Sequence, residues 1–182
     1  MRQFRSEIFI HPGLGNSGSE HWQSLWCKLF PEFHRIEQAE WETPECETWI
    51  ANLDREIMKF SPENVILVGH SLACCTIAYW ARKYGRKIKA AMLVGPSDTE
   101  APSYPPGTNG FTPIPLIRLP FPSLVVLSSD DPYVSVKRGM LFAENWGSEM
   151  VNIGNAGHIN VASGHGNWNE GIELLRKLDQ KF

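Results

Sequence analysis

The stretch VILVGHSLACC, residues 65–75, decides both the fold and the chemistry expected of this chain. Four apolar residues lead into Gly69-His70-Ser71-Leu72-Ala73, and a helical pattern follows. A serine at a sharp turn from a buried strand into a helix presents its hydroxyl outward, and the strained backbone requires small residues two positions away on either side. Gly69 and Ala73 are small, although glycine is usual at both places. The context predicts a nucleophile at Ser71, whereas the string alone is more often a helix N-cap.

Apolar runs and helical patterns alternate along the rest of the chain. They predict strands over 7–11, 33–39, 64–68, 88–94, 124–128 and 150–153, and helices over 20–30, 46–60, 72–84, 133–146 and 168–178. Strict βα order implies parallel strands with right-handed crossovers. The apolar central strands imply helices on both faces of the sheet. We expect an α/β fold, a three-layer α/β/α sandwich with a mostly parallel six-stranded sheet, in one domain over 1–182.

The helix ends carry their own signals. Ser19 is the expected N-cap of the first helix, which should turn Trp22 and Leu29 toward the core. Gly85 should end the third helix in a left-handed conformation.

Composition narrows the class of protein. A hydrophobic content of 42% and a charged content of 20% are typical of globular proteins. The net charge of −3 gives no reason to expect nucleic acid or an anionic membrane as partner. No apolar run is long enough to span a bilayer, and residues 7–11 indicate a first strand, not a signal peptide. The four cysteines show no metal spacing and predict reduced thiols in a cytoplasmic protein.

A serine hydroxyl needs a base and an orienting acid to become a good nucleophile. In hydrolases with a nucleophile elbow, the acid and then the histidine follow the serine along the chain. Asp131 follows the fifth predicted strand and His158 follows the sixth, so both should reach the turn at Ser71. Asp130 is the rival acid and His165 the rival base. No metal or organic cofactor is needed for this chemistry.

A glycine-rich loop after the first strand has two interpretations. Gly13, Gly15 and Gly18 match the dinucleotide fingerprint, which would make the chain a nucleotide binder or a non-catalytic module of hydrolase shape. With Ser19 as N-cap, however, Gly18 lies outside the helix where the fingerprint wants it inside. Alternatively, the loop supplies the N–H of Leu14 to an oxyanion hole, together with the N–H of the residue after the nucleophile, Leu72.

The segment 96–122 interrupts the βα rhythm. The stretch from Gly95 to Pro122 holds eight of the thirteen prolines, which predicts an ordered or semi-ordered excursion and not a helix. Its position after a strand end favours a functional role about as much as a simple surface loop. Tyr104 and Phe111 of this segment, with Trp22, are candidates to line an acyl pocket, although core packing is the alternative for most tryptophans.

Four stretches together resemble a known family: HPGLGNSGSEHWQSLW (11–26), VGHSLA (68–73), SSDDPYV (128–134) and NAGHIN (155–160). They are similar to the small serine hydrolases related to retinoblastoma-binding protein nine, over nearly the whole chain. The resemblance implies an α/β-hydrolase fold with little or no cap, esterase- or amidase-like activity on small molecules, and Ser71, Asp131 and His158 as nucleophile, acid and base. A retinoblastoma partner is not implied, because the chain has no Leu-x-Cys-x-Glu motif.

Overall fold

The computed structural model describes residues 3–182. Those residues contain the six strands and five helices that the sequence predicts, in the predicted order, with single 3-10 turns at Pro62–Asn64 and Val161–Ser163. The elements are β1 (Glu7–His11), α1 (Trp22–Leu29), β2 (His34–Arg35), α2 (Cys46–Ile57), β3 (Val65–His70), α3 (Leu72–Tyr84), β4 (Ala90–Val94), β5 (Ser123–Leu127), α4 (Val136–Trp146), β6 (Glu149–Asn152) and α5 (Asn169–Lys181).

The six strands form one sheet in the order β2-β1-β3-β4-β5-β6, and every neighbouring pair is parallel. From β1 the chain moves outward to β2 and then returns to β3 on the other side of β1. Open parallel sheets bind ligands at the carboxyl ends of the strands where the order reverses in this way. The loop after β1 and the turn after β3 both lie at that point.

Helices cover both faces of the sheet. Successive side chains of a strand point to opposite faces, and in β3 Val65 and Leu67 join one core cluster while Ile66 and Val68 join the other. The first cluster packs against α2, α3 and α4, and the second against α1 and α5. The predicted three-layer sandwich is therefore confirmed.

The start and the last turn of α1 differ from the prediction. His21, not Ser19, is the N-cap, because its Nδ1 accepts a hydrogen bond from the Gln23 N–H. Leu29 is 67% exposed, so its predicted core position is wrong. The next residue, Phe30, is buried in its place.

Four other elements are shorter than predicted: α2 ends at Ile57 and not at residue 60, β4 begins at Ala90 and not at residue 88, and β2 and α4 are the other two. Strand β2 contains only His34 and Arg35, because it lies at the sheet edge and pairs with β1 alone. Helix α4 begins at Val136 and not at residue 133, because the Ser135 hydroxyl accepts the Arg138 N–H at 3.2 Å and caps the helix there.

The proline-rich segment 96–122 is fixed to the helices below it. The Tyr79 hydroxyl of α3 donates to the Pro113 carbonyl at 2.7 Å, and the Trp146 indole of α4 donates to the Pro115 carbonyl at 2.8 Å. Phe111 is 1% exposed. The segment is therefore part of the core on this face. None of the helices in residues 3–182 has the length and apolarity needed to cross a membrane.

Candidate active site

Ser71 occupies a strained turn between β3 and α3. Its φ of 59° and ψ of −123° lie where residues with a side chain rarely occur, and its N–H is held by the Val94 carbonyl at 2.9 Å. A Cβ at Gly69 would come within 2.8 Å of Ile77 and 3.3 Å of the Ala73 carbonyl carbon. The turn thus has the crowding that the sequence predicts, and it accommodates the Ala73 methyl. The Ser71 side chain does not cap α3.

Asp131 and His158 form a buried hydrogen-bonded pair. His158 Nδ1 lies 2.9 Å from Asp131 Oδ2 and 3.0 Å from Oδ1, and both residues are less than a tenth exposed. An ionised carboxylate can only accept a hydrogen bond, so Nδ1 carries a proton. In the neutral ring, Nε2 then has a free lone pair. Gly95 lies against the pair with φ +53°, and a Cβ there would meet Asp131 Oδ2 at 3.3 Å.

The rival acid and base have different surroundings. Asp130 Oδ1 accepts from the Ser128 hydroxyl at 2.8 Å and from the Gly157 N–H at 2.7 Å, so it folds the loop that carries His158. The hydrogen bond from Ser128, and to a smaller extent the one from Gly157, lowers the pKa of the Asp130 carboxyl. His165 contacts the Ser163 hydroxyl at 3.2 Å in a local turn.

Ser71 and His158 line one cavity of about 180 Å³, but no hydrogen bond joins them in the described residues. The Ser71 Oγ is instead 2.8 Å from the Oγ of Ser97. Ser97 is completely buried after β4 and was not anticipated from the sequence. Its only signal was its place at the carboxyl end of a central strand.

The glycine loop lies against the serine turn. A Cβ at Gly13 would come within 2.7 Å of the His70 carbonyl oxygen, 2.9 Å of Ser71 Cβ and 3.2 Å of the Leu72 nitrogen. Leu14 lines the cavity. Leu72 is the first residue of α3, so its N–H has no acceptor within the helix. The loop that carries Leu14 and the turn that carries Leu72 are therefore in contact at Gly13.

The same loop lacks what dinucleotide binding requires of its third glycine. A Cβ at Gly18 would have no heavy atom within 4 Å, so no close packing demands a glycine there. Helix α1 begins only at Trp22. Gly18 therefore lies outside the helix, as the sequence suggests, whereas the dinucleotide fingerprint requires its third glycine inside.

Two further histidines surround the cavity and were not singled out from the sequence. His70 Nε2 donates to the His158 carbonyl at 2.9 Å, and its ring lies 4.8 Å from that of His158 and 4.9 Å from that of His21. Burial holds the pKa of His70 well below its ordinary 6.5 and lowers that of His21 to about 4. Both rings are therefore neutral near neutral pH.

Of the three candidates for an acyl pocket, one lines the cavity and two belong to the core. Tyr104 lines the cavity. Trp22 is completely buried, donates its indole N–H to the Ile159 carbonyl at 2.8 Å and belongs to the core, as does Phe111. Those two interpretations as pocket residues are wrong.

All four cysteines are free thiols, as predicted. In residues 3–182 there is no group of three or more His, Cys, Asp or Glu side chains arranged to hold a metal ion.

The fold agrees with comparisons to known proteins. A family model described as serine hydrolase matches residues 8–177, and the chain belongs to that family. A sequence comparison with curated proteins found no significant match.

Solved structures support the same class. A protein described as a YdeN-like hydrolase from Pectobacterium atrosepticum is 32% identical over 97% of this chain and 91% of its own, with a TM-score of 0.85. The ydeN gene product of B. subtilis is 19% identical over 95% and 98%, with a TM-score of 0.80. An esterase from Thermogutta terrifontis with bound butyrate is 16% identical over 97% and 83%, with a TM-score of 0.66. The chain has the α/β-hydrolase fold and is a serine hydrolase by family.

Proposed function

We propose that Ser71, His158 and Asp131 are the nucleophile, base and orienting acid of an enzyme that hydrolyses small carboxylic esters or amides. The observation that carries this is the buried pair of His158 and Asp131, because its histidine lines the same 180 Å³ cavity as a serine on a strained elbow.

The reaction would begin with a change of partner by the serine. Rotation about its Cα–Cβ bond takes the Ser71 hydroxyl from Ser97 to the Nε2 of His158. His158 removes the hydroxyl proton as Ser71 Oγ attacks the substrate carbonyl, and Asp131 stabilises the resulting imidazolium. The carbonyl oxygen becomes an oxyanion.

The oxyanion would be held by the backbone N–H groups of Leu14 and Leu72, whose segments are in contact at Gly13. The tetrahedral intermediate collapses when His158 donates its proton to the leaving alcohol or amine. Water, activated by the same histidine, then attacks the acyl-enzyme and releases the acid and the free Ser71 hydroxyl.

Hydrolysis of p-nitrophenyl acetate tests this function. We expect Ser71→Ala and His158→Gln each to lower kcat by about 10⁴-fold or more, because the members of a catalytic triad act as a unit. The matched control His165→Gln should remain within about two-fold of the wild type, since it changes a histidine outside the cavity. Turnover that persists in Ser71→Ala, or no turnover in the wild type, would contradict the proposal and favour a binding module.

A further inference from the structure

Among residues 3–182, the buried hydroxyl of Tyr104 has no hydrogen-bond partner. The Ser97 side chain is near enough to act on the Tyr104 hydroxyl and lower its pKa, but no hydrogen bond of normal geometry joins the two. Nearly all buried polar groups in folded proteins are paired, because leaving one unpaired costs about 1–3 kcal/mol. Burial also raises the pKa of Tyr104 above its ordinary value of 10, so the hydroxyl keeps its proton and remains a donor. An unpaired donor in the wall of a substrate cavity needs an acceptor from outside the chain.

The rest of the cavity also offers donors without charge. His21 Nδ1 accepts the Gln23 N–H, so the proton of this neutral ring is on Nε2, which has no partner in the described residues. The Oδ1 of Asn160 accepts the Ser163 N–H, so the amide protons of Asn160 remain available as donors. None of the lysines and arginines in the described part of the chain lines the cavity. Such a lining suits a neutral ligand that carries acceptor oxygens.

The position of Tyr104 indicates which part of the ligand it contacts. The proton for the leaving group comes from His158, so the leaving group lies on the His158 side of Ser71. Ser97 binds the Ser71 hydroxyl in a direction other than His158, and Tyr104 lies next to Ser97. The Tyr104 side of the nucleophile is therefore left to the acyl group.

We propose that the enzyme prefers small neutral esters whose acyl chain carries a second acceptor oxygen close to the scissile carbonyl, and that the Tyr104 hydroxyl donates to that oxygen. This inference rests on the proposed function. It assigns the proline-rich segment a role in substrate selection. The cavity volume of about 180 Å³ limits the acyl chain to a few atoms.

Two esters of equal length test the inference. p-Nitrophenyl methoxyacetate and p-nitrophenyl butyrate share a leaving group and differ in one chain atom, oxygen against methylene. We expect Tyr104→Phe to lower the ratio of their kcat/KM values, methoxyacetate over butyrate, by about 3- to 10-fold, since one hydrogen bond is lost. The different intrinsic reactivity of the two esters cancels when wild type and variant are compared.

Tyr79→Phe is the matched control. It also removes a tyrosine hydroxyl, one that holds the same segment through Pro113 and does not line the cavity. This variant should leave the ratio unchanged. An equal fall in both variants, or an unchanged ratio in Tyr104→Phe, would overturn the inference. Because both esters would still be hydrolysed in a Ser71-dependent way, that result is distinct from failure of the proposed function, in which neither ester is turned over.

Thermal unfolding gives a second, independent test. If the Tyr104 hydroxyl has no partner within the protein, Tyr104→Phe should leave the Tm unchanged or raise it, because an unpaired buried hydroxyl is removed. A fall of several degrees would show that the hydroxyl has a structural partner, and would overturn the inference.

Discussion

The two hydrogen bonds that a Ser–His–Asp relay requires are unequally formed in this molecule. His158 Nδ1 already contacts both oxygens of Asp131, at 2.9 and 3.0 Å. On the other side, the Ser71 hydroxyl is bonded to Ser97 at 2.8 Å and not to His158. One half of the proposed triad is therefore assembled before substrate binds, and the other half is not.

The difference follows from how each side chain is held. Asp131 Oδ1 also accepts the Tyr133 N–H at 2.8 Å, and the His158 carbonyl accepts a hydrogen bond from His70. Packing and backbone contacts thus fix Asp131 and His158. The Ser71 hydroxyl, in contrast, is held by one neutral hydrogen bond to Ser97, and such a bond is worth about 1 kcal/mol net. The contacts of Asp131 and His158 are thus built into the fold, whereas the Ser71 hydroxyl is held by one weak bond.

Removing the charge from the preassembled half should have the largest effect. We expect Asp131→Asn to lower kcat by roughly 10³- to 10⁴-fold, because an amide neither stabilises the imidazolium nor fixes the tautomer of His158. The matched variant is Asp130→Asn, which changes a carboxylate that bonds the loop at Ser128 and Gly157. The factor by which it lowers kcat should be less than a tenth of the factor for Asp131→Asn. Steady-state kinetics on one ester measures both. Equal losses in the two variants would contradict the assignment of Asp131.

Displacing the loop beside the serine turn should have the next largest effect. Gly13→Ala would place a methyl group within 2.7 Å of the His70 carbonyl oxygen, so the loop that carries Leu14 must shift. Loss of one oxyanion donor lowers kcat by about 10²- to 10³-fold. Gly18→Ala, in the same loop but with no atom within 4 Å, should keep kcat within about two-fold. If Gly13→Ala is as active as Gly18→Ala, the loop does not supply a donor.

His158 contacts a carboxylate, whereas the neighbouring His21 and His70 do not in the described residues. Because burial disfavours the charged form of such rings, the free energy of unfolding should fall as the pH falls. Burial lowers the pKa of His11 and His21 from 6.5 to about 4 and that of His70 in the same direction. Between those values the unfolded chain binds more protons than the folded chain, so the free energy of unfolding rises with pH and falls on acidification. Each histidine contributes about 1 kcal/mol per pH unit.

Urea unfolding at pH 7, 6 and 5 measures that slope. His11→Gln should show a shallower slope than the wild type, since one buried neutral histidine is removed. His165→Gln, which changes a partly exposed histidine, should keep the wild-type slope. Stability that does not vary over this pH range would show that these rings are not held neutral by burial.

The smallest effect is expected at the hydrogen bond between Ser71 and Ser97. Ser97→Ala removes the partner that competes with His158 for the Ser71 hydroxyl. We expect kcat/KM for an acetate ester to rise about two- to five-fold, because a hydrogen bond of about 1 kcal/mol no longer has to be broken first. Ser123→Ala breaks another serine pair, a part-buried one with Ser148 at 2.6 Å at the opposite end of the sheet, and should leave the rate unchanged. A ten-fold loss in Ser97→Ala would show that Ser97 assists the reaction.

Residues in local patterns were the ones that sequence could predict. Helix α3 has the predicted bounds, and Gly85 ends it in the left-handed conformation, because the apolar period and the terminal glycine are both local signals. Asp131 and His158 could be chosen because parallel strands bring their carboxyl ends to one edge. That rule converts chain order into proximity.

Residues that depend on distant contacts could not be predicted. Ser97 and Gly95 follow a strand end without a motif, and their importance comes from Ser71 and Asp131, which are far away in the chain. The N-cap of α1 moved from Ser19 to His21, a ring that is buried beside His70. Tertiary contacts outweigh local propensity in these cases.

Labelling with a fluorophosphonate probe tests the central claim most directly, because the reagent requires a serine that a histidine activates. The account predicts one equivalent of label per chain, mapped by mass spectrometry to Ser71, absent from Ser71→Ala and strongly slowed in His158→Gln. Label on another residue, or no label on folded wild-type protein, would contradict the account.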